Sequence, residues 1–181
     1  MVRKTIAYTS LPIDDPRLLQ VVDTVRATHV NGGCFLYQFV PADVSLWDRT
    51  DRHQSGHQDW LLAFLGSKSV HAAAAAVRIP YPLHPLPQHT LLAEQEFENT
   101  TYELLYRGGA YFPFKGSQDD ARRLSRRFVS AMLGERRDSV YIYRLDGPWT
   151  PWFCDVAWDC TIAVLNRAER RWSLFCVTDT D

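Results

Sequence analysis

Four aspartates in the last part of the sequence are the residues whose type and spacing most clearly permit chemistry. They are Asp155, Asp159, Asp179 and Asp181. Carboxylates that share a small area repel one another unless a cation, an arginine or a basic partner compensates their charge. Their arrangement in space therefore decides whether they form a binding surface.

Side-chain alternation predicts how these aspartates are arranged. Residues 153–165 and 172–178 have the pattern of two strands, and we expect a hairpin in which Val164 lies opposite Trp172. In that register the four carboxylates collect on one face, and the apolar side chains, Trp158 among them, lie on the core face. A shift of one residue would carry the last two aspartates to the other face.

Three interpretations of this acidic face stay open at the sequence level. It can be a solvated surface paired with nearby arginines, a binding surface for a basic protein, or a set of ligands for a divalent metal. Hard oxygen ligands suit Mg²⁺ or Ca²⁺, but the spacing of an EF-hand is missing. We therefore predict no metal site and no cofactor, and we name a basic protein as the possible partner.

Two tryptophans lie just before the predicted acidic strand. Trp149 and Trp152 flank Pro151 in an expected turn, and we expect both to be partly exposed. Tryptophan is enriched among interface hot spots, although it also fills small cores. An aromatic anchor beside a charged rim is typical of a protein-binding surface. The predicted binding residues are Asp155, Asp159, Asp179, Trp149 and Trp152.

A group of histidines gives a weaker indication of metal chemistry. His53 and His57 are spaced as two ligands on one side of a helix would be, and His84 and His89 can lie nearby. Gly56 argues against a helix there, so loop polarity is the simpler interpretation. The alternative function is a metal-dependent hydrolase, and its ligands would be either His53 and His57 or the aspartates at 155, 159 and 179.

Cys34 follows two glycines at a strand start, and His29 precedes it by five residues, so a cysteine nucleophile with a histidine base is conceivable. A buried thiol at the head of a core strand is the commoner arrangement. The sequence has no GxSxG, GxxxxGK[ST] or GxGxxG motif. It thus names no catalytic residue and leaves open whether the protein is an enzyme.

Six arginines cluster in and just after the helix expected near residues 118–133. They are Arg122, Arg123, Arg126, Arg127, Arg136 and Arg137. A basic helical face can contact phosphates, but no nucleic-acid-binding motif accompanies it and the formal net charge of the chain is −1. We expect a solvent-facing surface paired with acidic residues, and we do not expect nucleic acid as a partner.

Composition sets the class of protein. The 181 residues are 46% hydrophobic and 23% charged, which predicts a single domain over residues 1–181 with a substantial core. The first residues lack the apolar stretch of a secretory signal, no segment has the length of a membrane span, and the four cysteines contain no CxxC pair. We therefore expect reduced thiols, a cytoplasmic location and no membrane insertion.

Apolar periodicity and chain breakers predict the elements that position these residues. The predicted strands are 3–9, 34–40, 101–106, 110–114, 140–145, 153–165 and 172–178, and the predicted helices are 16–27, 60–65, 70–77 and 118–133. Gly108 and Gly109 suit a hairpin turn between the third and fourth strands. Residues 41–59 are expected to form a long loop, and the proline-rich residues 79–89 an extended connector.

These elements predict an α+β fold with a mainly antiparallel sheet, at least two packed helices and a C-terminal β-meander. The expected function is non-catalytic binding of a macromolecule through an acidic, tryptophan-bearing surface. A small bacterial immunity or adaptor protein that neutralises a basic toxin would have this physical character. The sequence does not define an oligomeric state.

Overall fold

A computed structural model describes residues 6–53, 56–83 and 86–181, without the side chains of residues 52 and 53. Within these residues the chain forms an antiparallel sheet of six strands. The strands are β1 (Tyr8–Leu11), β2 (Gly33–Pro41), β3 (His89–Leu91), β4 (Val140–Leu145), β5 (Cys160–Asn166) and β6 (Arg171–Thr178). Their spatial order is β1-β2-β6-β5-β4-β3.

Helices cover both faces of this sheet. They are α1 (Pro16–Thr28), α2 (Val44–His53), α3 (His57–Leu65), α4 (Lys68–Ala73), α5 (Glu94–Arg107) and α6 (Gln118–Leu133), and a short 3₁₀ turn follows α4 at Ala75–Val77. None of the helices in the described part of the chain has the length and apolarity that a bilayer crossing requires.

The sheet is apolar on both sides because successive residues of its central strands point to opposite faces. Leu174 and Cys176 of β6 belong to the core beneath α2, α3 and α4, whereas Phe175 and Val177 belong to the core beneath α1, α5 and α6. In the core beneath α2, α3 and α4, the ring of Phe64 stacks on the ring of Trp172, with 4.3 Å between their centroids. Two cores thus hold the sheet between two helical layers.

The predicted α+β class is confirmed, including the C-terminal meander of β4, β5 and β6. The helix predicted over 118–133 is also confirmed as α6. A capping box stabilises its N-terminus. The Asp120 N–H donates to Ser117 Oγ at 3.1 Å, and the Ser117 N–H donates to Asp120 Oδ2 at 3.0 Å. Local capping of this kind explains why sequence alone defines this helix.

The predicted hairpin across Gly108 and Gly109 is wrong, because residues 101–106 belong to helix α5 and residues 110–114 form no strand. The buried side chains of α5 include Phe97, Thr101 and Leu105, which recur at the spacing of a helical face. Gly108 ends the helix with a positive φ of 69°. The glycine pair therefore stops a helix instead of turning a hairpin.

The long loop predicted over residues 41–59 is also wrong for most of its length. Asp43 caps the start of α2, since its Oδ1 accepts the Leu46 N–H at 2.9 Å. Ser45 and Arg49 lie on the solvent side of this helix, whereas its Trp47 is buried.

The strand predicted over residues 153–165 is too long, and its register is wrong. Strand β5 begins at Cys160, and residues 153–159 form turns instead. Trp172 lies opposite Leu165, and Val164 lies opposite Ser173, one residue from the predicted pairing. The chain between β4 and β5 is thus a loop that carries Trp149, Trp152 and two of the aspartates.

Candidate binding site

Four segments meet at the end of the sheet where β2 and β5 begin and β4 and β6 end. We call this region the acidic end, and it consists of residues 29–32, 108–116, 146–159 and 179–181. These residues include five aspartates and no other charged group except Lys115. They also include seven aromatic residues. The fold therefore concentrates negative charge and aromatic rings that are dispersed along the chain.

Asp179 joins three of these segments from a fully buried position. Its side chain has no exposure. Its Oδ1 accepts the Asn31 N–H at 2.9 Å, and its Oδ2 accepts the Ala110 N–H at 2.7 Å. Asp179 therefore does not lie on a surface, contrary to the sequence-based expectation. Its carboxylate fixes the turn after α1 and the segment after α5 against the end of β6.

Asp159 is half-buried and holds the loop before β5 in place. Its Oδ1 accepts the hydroxyl of Thr178 at 2.5 Å, and its Oδ2 accepts the Val156 N–H at 3.2 Å. Each oxygen keeps one lone pair free, because a carboxylate has about four acceptor positions. Asp159 thus combines a structural role with some capacity to bind a partner.

Asp146, Asp155 and Asp181 are the exposed carboxylates of the acidic end. Asp155 has a φ of +59°, a left-handed conformation that aspartate tolerates better than most residues. The predicted register does not form, so the four predicted aspartates do not line one strand face. They nevertheless lie at the same end of the sheet, two exposed, one half-buried and one buried.

Four of the five aspartates of the acidic end have no basic group within 4 Å in the described part of the chain. Only Asp146 has a basic group within 4 Å there, the guanidinium of Arg144 at 3.8 Å. At the opposite end of the sheet, acidic residues are paired: Asp48 contacts Arg170 at 2.9 Å and Asp51 contacts Arg167 at 2.6 Å. Asp155, Asp159, Asp179 and Asp181 are therefore left without a compensating cation within 4 Å among the described residues.

Both predicted tryptophans are half-buried. The indole N–H of Trp149 donates to Thr161 Oγ1 at 2.9 Å, which ties the loop to β5. The ring of Trp152 lies 5.2 Å from Phe35 of β2 and 4.9 Å from Phe153. Both rings are thus held rigidly and leave part of their surface to solvent.

A cleft of about 530 Å³ opens between α5 and the start of β5. Its volume lies within the range of small-molecule sites. Its walls include Glu103, Arg107, Arg144, Trp158, Asp159 and Cys160. Trp158 therefore lines a cleft and does not lie on the core face that its position in a strand predicted.

The lining of this cleft offers hydrogen-bonding groups of both charges and no activated nucleophile. Arg107 is paired with Glu103 at 2.9 Å. Burial raises the pKa of the Cys160 thiol to about 11, although the Arg144 guanidinium opposes this effect. A protonated thiol is a poor nucleophile, so Cys160 is not activated for attack.

Cys34 in β2 and His29 at the end of α1 are both buried. Burial raises the pKa of the Cys34 thiol well above its ordinary value. Burial also lowers the pKa of His29, an effect that Asp179 and a contact with the Val25 carbonyl oppose. A neutral, buried thiol fits the structural interpretation of Cys34.

The predicted metal ligands do not converge in the described residues. Within them, no three side chains among histidine, cysteine, aspartate and glutamate are grouped to hold a metal ion. The ring centroids of His57 and His89 lie 6.3 Å apart. His84 and the side chain of His53 lie outside the described residues.

Three of the six arginines in and just after α6 form ion pairs among the described residues, so the predicted pairing with acidic residues is only partly confirmed. Arg126 contacts Glu98 at 2.9 Å, Arg137 contacts Glu94 at 2.6 Å, and Arg123 pairs with Asp120 on the same helix. The guanidinium of Arg122 instead lies over the ring of Tyr102, 4.3 Å from its centroid.

Sequence reasoning missed the aromatic segment after α5. The exposed fractions of Tyr111 and Phe112 are 59% and 48%. Assigning residues 110–114 to a strand concealed these side chains, because an alternating strand would bury part of them. The preceding Gly108, where the helix stops, was the signal that could have placed them in a loop.

Comparison of the chain with protein-family models, with curated proteins and with solved structures finds no match. The geometry and charge of the acidic end are therefore the main indication of function.

Proposed function

We propose that the chain is a non-catalytic binding protein that holds a basic macromolecular partner, most simply a protein, through its acidic end. The observation that carries this proposal is the combination of carboxylates without cationic neighbours and partly exposed aromatic rings at one end of the sheet. An adaptor or an immunity protein that neutralises a basic toxin would use a surface of this kind.

Electrostatics supports a basic partner. Asp155 and Asp181 are exposed, and the half-buried Asp159 keeps free lone pairs. Their mutual repulsion is relieved when lysine or arginine side chains approach. Complementary charge speeds association and fixes orientation, and its effect falls as salt screens it. The half-buried tryptophans supply the apolar contact that charge alone does not give.

A charge-reversal experiment tests this proposal. The bait is the immobilised protein, incubated with a lysate of the source organism, and the variant is Asp155→Lys/Asp181→Lys. Asp159 is left unchanged because it binds Thr178 and the Val156 N–H. The matched control is Glu135→Lys/Asp138→Lys, which makes the same change in charge on exposed residues near the opposite end of the sheet.

We expect a partner rich in lysine and arginine to bind the wild type and the control but not the Asp155/Asp181 variant. With the purified partner, affinity should fall about tenfold or more on charge reversal at low salt, and wild-type binding should weaken as salt rises. Retention of every partner by the Asp155/Asp181 variant would refute the proposal.

The cleft favours one alternative, an enzyme, because catalysis requires a concave site with convergent polar groups. The metal-dependent hydrolase considered from the sequence is tested by melting the protein with Mg²⁺, Mn²⁺ or Zn²⁺ and with a chelator. A ligand that binds the folded state at a hundredfold excess over its Kd stabilises it by about 2.7 kcal/mol. Equal melting temperatures in all conditions would remove this alternative.

A further inference from the structure

Three exposed aromatic side chains surround the turn that ends α5. The exposed fractions of Tyr106, Tyr111 and Phe112 are 46%, 59% and 48%. Single exposed apolar residues are common on protein surfaces, but a group of large rings in one short segment marks an interaction site. The ring of Tyr106 stacks on the ring of Tyr102, with 5.6 Å between their centroids.

The backbone that carries Tyr111 and Phe112 is fixed at several points. The Gly109 N–H donates to the Phe112 carbonyl at 3.1 Å and closes the turn. The Ala110 N–H donates to the buried carboxylate of Asp179 at 2.7 Å. Gly109 also packs so closely on the Thr28 carbonyl that no Cβ could be accommodated. The exposed rings are thus presented on a rigid support, which lowers the entropy lost on binding.

The carboxylates of the acidic end indicate what kind of surface fits these rings. Asp181 follows directly on the residues that hold the aromatic turn, and no cation lies within 4 Å of its carboxylate in the described chain. Because the Ala110 N–H is bonded to Asp179, a partner that covers the neighbouring Tyr111 and Phe112 would lie at the same end of the sheet as the Asp181 carboxylate. Basic side chains satisfy it and can also lie over the aromatic faces.

We propose that Tyr111 and Phe112 are the apolar anchors of the partner interface, and that they enter an apolar pocket of the partner bordered by lysine and arginine. This inference rests on the proposed function and deepens it, because it names the residues that supply affinity. The aspartates direct the approach of the partner, and the two rings hold it.

The test uses the purified partner from the charge-reversal experiment and measures its affinity calorimetrically. Tyr111→Ala/Phe112→Ala should weaken binding about thirtyfold or more, the effect expected of a pair of hot-spot residues. The control Leu19→Ala/Leu91→Ala removes two exposed apolar side chains elsewhere and should change affinity less than about twofold. Tyr111→Phe/Phe112→Leu keeps apolar bulk and should retain most of the affinity.

The outcomes separate this inference from the function on which it rests. If charge reversal abolishes binding and the Tyr111/Phe112 alanine variant binds as wild type, the anchors are wrong while the proposed function stands. If no partner is captured, or if neither variant alters binding, the inference and the proposed function are both refuted. A concentration-dependent dimer that the alanine variant disperses would also overturn the inference, because the occupant would be a second copy of the chain.

Discussion

Removal of the Asp179 carboxylate should destabilise the protein far more than removal of the nearby Asp181. In Asp179→Ala, the N–H groups of Asn31 and Ala110 lose their acceptors in a part-buried environment. An unsatisfied buried donor costs about 1–3 kcal/mol, so the two together cost about 2–6 kcal/mol. Release of a buried charge without a cationic neighbour offsets part of this loss.

We therefore expect Asp179→Ala to lower the free energy of unfolding by about 2–4 kcal/mol, which for a chain of this size corresponds to roughly 5–15 °C in Tm. Asp181→Ala removes the same group from an exposed position, so its free energy of unfolding should lie within about 0.5 kcal/mol of the wild-type value. Asp179→Asn retains one acceptor oxygen but turns its NH₂ group towards the other donor, so its effect should be intermediate.

Urea unfolding followed by tryptophan fluorescence measures these differences. Amide hydrogen exchange provides a local readout, because the Asn31 and Ala110 N–H groups should exchange faster in Asp179→Ala than in the control. An Asp179→Ala protein as stable as Asp181→Ala, with unchanged exchange at both amides, would refute the structural role assigned to this carboxylate.

Three further predictions concern other parts of the fold. Gly109→Ala should lower the free energy of unfolding by several kcal/mol, because its methyl would overlap the Thr28 carbonyl and the buried Asp179 carboxylate. Gly147 has a φ of +65° but no neighbour within 4 Å among the described residues, so Gly147→Ala should lower the free energy of unfolding, measured by thermal unfolding, by only about 1 kcal/mol. Hydrogen bonds from Ser117 lower the pKa of Asp120 to about 2. The stability that the ionised Asp120 contributes is therefore complete above pH 3.8 and is lost as the pH falls through 2. Ser117→Ala should raise the pKa of Asp120, which an NMR titration measures. A thiol reagent at pH 8 should label the exposed Cys154 first, because Cys34 and Cys176 are buried and the pKa of the half-buried Cys160 is raised to about 11 by desolvation. A Cys154→Ser protein that reacts as fast as wild type would contradict this expectation.

Local signals were sufficient for part of the fold. Helix α6 has a capping box and a regular apolar face, and strands β4 and β6 are short, mostly apolar segments bounded by turn residues. Each of these signals acts within a few residues, so it can be recognised without the tertiary structure. The α+β class follows from their order along the chain.

Helix α5 was assigned to a strand because aromatic and β-branched residues favour strands in isolation. Its apolar residues nevertheless follow a helical spacing, and packing against α1 and α6 determines its conformation. Glu96 stabilises its start by accepting the Ala93 N–H at 2.7 Å. In this segment, packing against other helices outweighed the intrinsic strand propensity of the residues.

The sequence predicted the aspartates of residues 155–181, together with Trp149 and Trp152, as one surface, but not their geometry or the other segments of the acidic end. The turns over residues 153–159 depend on hydrogen bonds to Asp159, and the register of β5 and β6 depends on contacts with β2 and β4, which are distant in sequence. The role of Asp179 depends on the backbone of two segments far away in the chain. Sequence periodicity carries no information on such long-range contacts.

The most direct test of the proposed binding surface is a hydrogen-exchange footprint of the protein with and without its partner. We predict that the partner slows amide exchange in residues 108–112 and 153–158 and leaves the turn at residues 167–170, on the opposite end of the sheet, unchanged. Protection confined to that opposite turn, or to the arginine-bearing face of α6, would contradict the assignment of the acidic end as the binding site.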